Sequence, residues 1–201
     1  MTISAMSVNH PAEDLAKLII EGFGKKFHAL RLSVEEQKRV LLCLAEHILQ
    51  NHYDDLLIMG EKSIDGVLFI KPRNWKMGNL PKRLYSKLRL ASFVKTMLFL
   101  YSLDHSCSKK EIHIDFIAVS ESCRGQGIGS KLIERVKQQA EADQYISLFV
   151  SANNTAARRL YEKQQFRIMK KGTSIVGRYF HGIESWYFMV WRGAWENEEK
   201  I

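Results

Sequence analysis

Apolar residues recur along this chain with two different periods, and the switches between them divide it into elements. Leu15, Leu18, Ile19 and Phe23 repeat at helical spacing behind Pro11, Glu13 and Asp14, a proline and two acids suited to a first turn, so a helix is predicted over residues 11–31. Ser33 with Glu36 three positions later makes a capping-box pattern, and Val40, Leu41, Leu44, Ile48 and Leu49 then share one face of a second helix. Short strands are predicted at residues 3–8, 56–60 and 67–71. The last two are joined through Ser63-Ile64-Asp65-Gly66 and read as a hairpin with Asp-Gly at the turn.

Residues 72–110 break this pattern. Pro72, Pro81 and a dense run of cations lead into Leu84, Tyr85, Leu88, Phe93, Met97, Leu98 and Tyr101, which predict one or two amphipathic helices inserted between the third and fourth strands. Regularity returns with a strand at 112–119, a glycine loop at 124–129 and a helix to about residue 143. A strand at 146–150, a helix at 154–164 and strands at 166–170 and 186–191 follow. Helices alternating with strands predict an α/β (α+β) class. The expectation is one domain over residues 1–195, carrying the helical insertion, with 196–201 as a solvated tail.

Composition changes this picture in two places. With 201 residues and 46% hydrophobic content the chain can bury a substantial core, and disordered or low-complexity classes are excluded. Thirty Lys+Arg against 22 Asp+Glu give a formal charge of +8, which hints at an anionic partner. Eight of those cations, Lys71, Arg73, Lys76, Lys82, Arg83, Lys87, Arg89 and Lys95, fall in one stretch without a single acid. Removing those eight from 30 leaves 22 cations against 22 acids, so the excess belongs to the insertion and argues against a nucleic-acid-binding chain as a whole. A solvated face, an acidic acceptor, attraction of a cofactor's phosphates and an anionic surface docked beside Leu84, Leu88 and Phe93 all stay open for it.

Three cysteines, Cys43, Cys107 and Cys123, contain no CxxC pair, so neither a disulfide framework nor a zinc knuckle is expected and a reducing, cytoplasmic setting is the default. The N-terminal sequence lacks the pattern of a secretory signal. The longest apolar stretch, residues 91–103, is too short to span a bilayer.

Candidate chemistry concentrates after the strand at 112–119. Arg124-Gly125-Gln126-Gly127-Ile128-Gly129-Ser130 opens a helix whose apolar stripe is Ile128, Leu132, Val136 and Ala140. Glycines let successive backbone N–H groups converge at a helix N-terminus, which is the arrangement that holds a phosphate. Two familiar phosphate loops fail on spacing. Gly129 is followed by Ser130-Lys131 where the Walker loop has Lys-Ser/Thr, and the dinucleotide fingerprint needs glycine where Ser130 or Leu132 stands.

What fits is Arg-x-x-Gly-x-Gly at Arg124, Gly127 and Gly129, with a second motif downstream, Asn-x-x-Ala-x-x-x-Tyr at Asn154, Ala157 and Tyr161. With these two motifs in this order the sequence resembles the GNAT N-acetyltransferase family, over nearly the whole chain. It departs at Glu121, where the family often has proline, and at Gln165, where it often has glycine.

The resemblance implies a mixed, mostly antiparallel sheet flanked by helices and transfer of acetyl from acetyl-CoA to a primary amine by direct attack, with no metal. Arg124, Gly125, Gln126, Gly127, Ile128, Gly129 and Ser130 would hold the pyrophosphate, and the backbone of Ile117, Ala118 and Val119 the pantetheine arm. Asn154, besides its evident use as an N-cap, and Ala157 would border that arm. Tyr161 would protonate the departing thiolate. For the base, His113 and Asp115 are alternatives; strict alternation would put both on one strand face with Ile117 and Val119, and an imidazole suits proton acceptance near neutral pH. The competing expectation is a non-catalytic acyl-CoA sensor or surface-binding protein that uses the basic insertion. The acceptor, peripheral membrane contact and a homodimer are left open.

Overall fold

A computed structural model of the chain describes residues 10–28, 30–61, 63–173 and 185–193, without the side chains of 23–28. The strand predicted at 3–8, the side chain of Phe23 and the tail at 196–201 lie outside the described residues. Six strands, β1 (Leu56–Met59), β2 (Gly66–Ile70), β3 (Glu111–Val119), β4 (Tyr145–Ser151), β5 (Arg167–Thr173) and β6 (Ser185–Arg192), form one sheet in the order β1-β2-β3-β4-β6-β5. The β3–β4 pair is parallel and every other pair is antiparallel, which gives the mixed, mostly antiparallel sheet expected.

Helices α1 (Pro11–His28) and α2 (Val34–Asn51) cover one face of this sheet together with the inserted α3 (Leu80–Tyr85) and α4 (Leu90–Ser102). On the other face lie α5 (Ile128–Gln139) and α6 (Thr155–Lys163). The sequence explains both layers. Ser33 caps α2 through a complete capping box with Glu36, worth about 1 kcal/mol, and the α2 stripe Val40, Leu41, Leu44 and Ile48 is buried against α1 and the sheet. Leu132, Ile133 and Val136 of α5 pack against Ile114, Ile146 and Leu148 on the opposite face.

Gly66 is not a turn residue. It stands inside β2, paired with Met59 and Val119, and residues 60–65 make the connection. A Cβ at Gly66 would lie 2.5 Å from Ile128 Cγ2, so this glycine is what lets the start of α5 rest on the sheet.

The predicted alternation of His113, Asp115, Ile117 and Val119 is also overturned. Phe69 pairs with Phe116 while Ile70 pairs with Ile114, so Asp115 is an extra residue, a β-bulge in β3. The bulge exchanges the faces. His113 lies on the α1–α2 side with Phe116 and Ala118, whereas Ile117 and Val119 turn to the other side, where both approach within 4.0 Å of the position a Gly129 Cβ would occupy.

In the insertion, Leu84 is buried and Leu88 and Phe93 pack on the α1–α2 core, so the face read as a docking surface points inward. Its exposed apolar residues are instead Tyr85, Leu90, Val94, Leu98, Tyr101 and Leu103. Because α4 is apolar nearly all round, periodicity alone does not tell which face it buries. No helix among the described residues is long and apolar enough to cross a membrane.

Candidate active site

The glycine loop adopts the conformation its composition allows. Gly125 and Gly127 have φ of 78° and 81°, a region L side chains rarely enter, and a Cβ on either would meet nothing within 4 Å. The space in front of the loop is open. Gly127 is the N-cap of α5 and supplies no side-chain acceptor, so the N–H groups of the first turn are left for an outside partner. Gly129 is buried, and its missing Cβ would sit 3.1 Å from Leu160 Cδ2, which fixes how closely α5 meets α6. Arg124 reaches back along the molecule, its Nε 3.4 Å from the Val119 carbonyl and its guanidinium 3.4 Å from that of Glu21. Gln126 donates to the Ser122 carbonyl at 3.0 Å, and Ile128 and Ser130 are half-buried. At Glu121 the family proline would be unable to donate; here the N–H bonds Glu21 Oε2 at 3.2 Å.

From this loop a gap runs into the sheet. Strands β3 and β4 pair from Glu111↔Tyr145 to Ile114↔Leu148 and then part. Beyond that point one edge of β3 is held by β2, through Leu68↔Ile117, Val67↔Ala118 and Gly66↔Val119. Among the described residues no strand pairs with its other edge, so backbone groups of residues 115–119 face the opening.

On the α5–α6 face of the gap stands Tyr161. Asn154 caps α6, its side chain accepting from the Ala157 N–H at 3.2 Å, and Ala157 and Tyr161 follow on the helix face that packs inward. Tyr161 is buried among Ile114, Leu148 and Val150, with Phe166 as ring neighbour at 6.0 Å. Burial pushes its phenol far above the ordinary value, so it keeps its proton throughout the neutral range.

The other face holds His113, at the centre of a hydrogen-bonded group that sequence reasoning missed. Ser147 donates to Glu111 Oε1 at 2.5 Å, and His113 Nδ1 lies 2.7 Å from Ser147 Oγ. The serine hydroxyl has one proton and gives it to the carboxylate, so Nδ1 must donate to Oγ. Neutral His113 is therefore the Nδ1–H tautomer, with a lone pair on Nε2. His105 bonds the same Glu111 oxygen at 2.8 Å and packs against His113 with ring centroids 4.4 Å apart and planes tilted by 41°. Burial pushes the Glu111 carboxyl up, but the interactions with His113, Ser147, the Ser108 N–H and His105 outweigh it and hold the group well below the usual carboxylate range. His105, Glu111 and His113 each offer a ligating atom within 4.8 Å of one another, the one such metal-competent group among the described residues. Glu111 Oε1 is already bonded by Ser147 and His105, and His113 Nδ1 by Ser147 Oγ.

The sequence signal for Glu111 and Ser147 exists only in the register. His113 and Ser147 are Cα partners across the parallel pair, and Glu111 lies two residues back on the same face. His105 comes from the end of the insertion, where no periodicity places it.

His113 and Asp115 both line a cavity of about 170 Å³ between the sheet and the insertion. Asp115 and Phe149 are the first residues past the last β3–β4 pair, and both belong to its wall, so the cavity abuts the point where the strands part. Lys71 turns into this cavity with Nζ 2.6 Å from Asp104 Oδ1. The remaining insertion cations do not. Arg83 pairs with Glu46, Arg73 donates to the Lys109 carbonyl, and Lys76, Lys82, Lys87, Arg89 and Lys95 are exposed.

Residues 96–166, from α4 through the glycine loop to the end of α6, match the model of the acetyltransferase (GNAT) family. The fold is that of the GNAT acetyltransferases. A solved acetyltransferase structure superposes with TM-score 0.60 at 20% identity, covering 92% of this chain and 96% of that one. An N-acetyltransferase from Staphylococcus aureus Mu50 gives 0.59 at 18% identity, over 90% and 95%. The NatC complex bound to Gag peptide and CoA gives 0.52 at 16% identity, over 92% of each chain. No curated protein matches the sequence. In this GNAT fold the two motifs legible in the sequence lie on either side of β4, and the insertion roofs the cavity on the opposite face.

Proposed function

We propose that the protein is an acetyl-CoA-dependent N-acetyltransferase acting on a primary amine by direct transfer. The observation that carries this is the parting of β3 and β4 after Ile114↔Leu148, with a buried phenol on one face of the sheet and, on the other, a histidine with a free Nε2 lone pair. The NatC complex in its solved form holds CoA, and the GNAT-family match over residues 96–166 supports the same cosubstrate here.

The residues fit that ligand. The first-turn N–H groups of α5, behind Gly125 and Gly127, donate to phosphate oxygens in the open space before the loop. The unpaired edge at Ile117, Ala118 and Val119 offers amide groups to the pantetheine arm as a strand would, and an arm bound in this way would carry its thioester into the gap.

Two proton transfers then need residues. An ammonium must lose a proton before it attacks, and His113 takes it at Nε2; Asp115 at the cavity mouth is the alternative acceptor. The amine nitrogen bonds to the acetyl carbonyl carbon as the carbon–sulfur bond breaks, Tyr161 gives its proton to the sulfur, and the second proton that the nitrogen sheds on becoming an amide restores the Tyr161 hydroxyl. Glu111 and Ser147 hold the imidazole in the required tautomer and place a negative charge behind it.

Calorimetric titration with acetyl-CoA and assay of CoA release with amines test the proposal. Acetyl-CoA binding with amine-dependent CoA release is expected. Binding without turnover for any amine would leave an acyl-CoA sensor, and no binding would overturn both.

A further inference from the structure

The chemistry of the cavity selects among amines. Its body is formed by Ile19 of α1, Leu44 of α2, Phe69 of β2 and Trp75, Leu80 and Phe99 of the insertion, and its polar lining residues are Lys71, Asp104, His113 and Asp115. Lys71 and Asp104 neutralise each other at 2.6 Å, so this pair offers no net charge to a ligand. His113 and Asp115 stand where the strands part, at the end nearest the thioester. The cavity thus has one polar end and one apolar body of about 170 Å³. Apolar cavities of roughly 150 Å³ take up a benzene-sized ring.

From this we infer, on top of the transferase reading above, that the acceptor is a small monoamine with one apolar body of about phenyl size, its amine directed at His113 and its body under the insertion. Polyamines and aminoglycosides are excluded by the same walls. Each further ammonium or hydroxyl would be stripped of water against Leu44, Leu80 or Phe99 with nothing to bond it. A peptide is excluded by its chain, because the residues after the amine would carry unpaired amides into the apolar body. Apart from Lys71, the basic run of the insertion then has no part in acceptor recognition, since Lys76, Lys82, Lys87, Arg89 and Lys95 point to solvent.

The test compares benzylamine, 2-phenylethylamine and hexylamine with spermidine, kanamycin and a peptide bearing an N-terminal Phe, measured by CoA release with the full chain. At least a 50-fold higher kcat/KM is expected for the apolar monoamines. Benzylamine alone should also raise Tm in the absence of acetyl-CoA, and spermidine should not. Trp75→Ala enlarges the wall, and at retained Tm it should move the preference from benzylamine toward 1-naphthylmethylamine by tenfold or more. A higher kcat/KM for spermidine, kanamycin or the peptide would overturn the inference and leave the transferase reading standing. Acetyl-CoA binding with no monoamine turned over, or no change of preference in a folded Trp75→Ala protein, would overturn it as well. Failure of acetyl-CoA itself to bind would remove the reading beneath it.

Discussion

His113 and Ser147 face each other across the only parallel strand pair of the described sheet, with Nδ1 2.7 Å from Oγ. The serine donates its one hydrogen bond to Glu111, so the pair fixes which imidazole nitrogen is free. Ser147→Ala removes the acceptor that selects this tautomer and should lower kcat by roughly tenfold with acetyl-CoA affinity unchanged. Glu111→Gln removes a neighbouring negative charge as well, and the acid limb of the kcat/KM profile should move to lower pH. A pH profile identical to that of the unmodified protein in Glu111→Gln would show the group to be purely structural.

The same carboxylate gives stability a pH dependence of known sign. Hydrogen bonds hold Glu111 below its ordinary value of 4.5 in the folded chain, so the folded state binds fewer protons than the unfolded state in acid. Its contribution is complete above about pH 4.5 and is lost as pH falls toward the depressed value. Urea unfolding between pH 7 and pH 3 should show a steeper loss for the unmodified protein than for Glu111→Gln, whose amide does not titrate.

Gln165 closes α6 with φ of 62°, the left-handed position that commonly takes glycine after a helix. The glutamine side chain is exposed and its Cβ is strained there. Gln165→Gly should stabilise the protein by about 0.5–1 kcal/mol, since relief of strain exceeds the added freedom of the unfolded chain. The denaturant midpoint should rise with an unchanged slope.

What the sequence discloses and what it hides divide along physical lines. The loop from Arg124 to Ser130 and the helix from Asn154 to Tyr161 are local: glycine conformations, a cap and a spacing of seven residues carry their meaning without reference to the rest of the chain. The bulge at Asp115 is not local, because an extra residue is defined only against the partner strand, and it alone reverses the faces of Ile117 and Val119. Glu111, Ser147 and His105 become one group only when register and insertion are both known. The cations of the insertion are conspicuous in sequence yet mostly point to solvent, whereas its apolar residues, which periodicity could not orient, roof the cavity.

Tyr161 separates packing from chemistry cleanly. Its ring is buried beside Phe166, and among the described residues its hydroxyl makes no hydrogen bond, so Tyr161→Phe keeps the core and removes only the proton. Stability should change by less than about 0.5 kcal/mol. Turnover should fall by roughly 100-fold, the scale of losing a general acid, while the acetyl-CoA dissociation constant holds. Unchanged turnover would take Tyr161 out of the mechanism.

Gly127 tests whether the loop binds the cosubstrate or merely turns the chain. With φ of 81°, Gly127→Ala places an L side chain in the left-handed region, at about 1–2 kcal/mol, and its Cβ projects into space empty of protein. A turn alone would feel only the strain. A phosphate seated on the amides of Ile128, Gly129 and Ser130 would also meet the new methyl, so acetyl-CoA should bind at least tenfold more weakly. Gly78→Ala supplies the control: φ is 47°, the nearest atom to its Cβ is His47 Cε1 at 3.5 Å, and it lies in the insertion away from the loop. Both variants should lose similar stability in urea, and calorimetry should find acetyl-CoA affinity reduced only in Gly127→Ala. Equal affinity in the two would assign the glycine to folding, and the phosphate cradle would have to lie elsewhere.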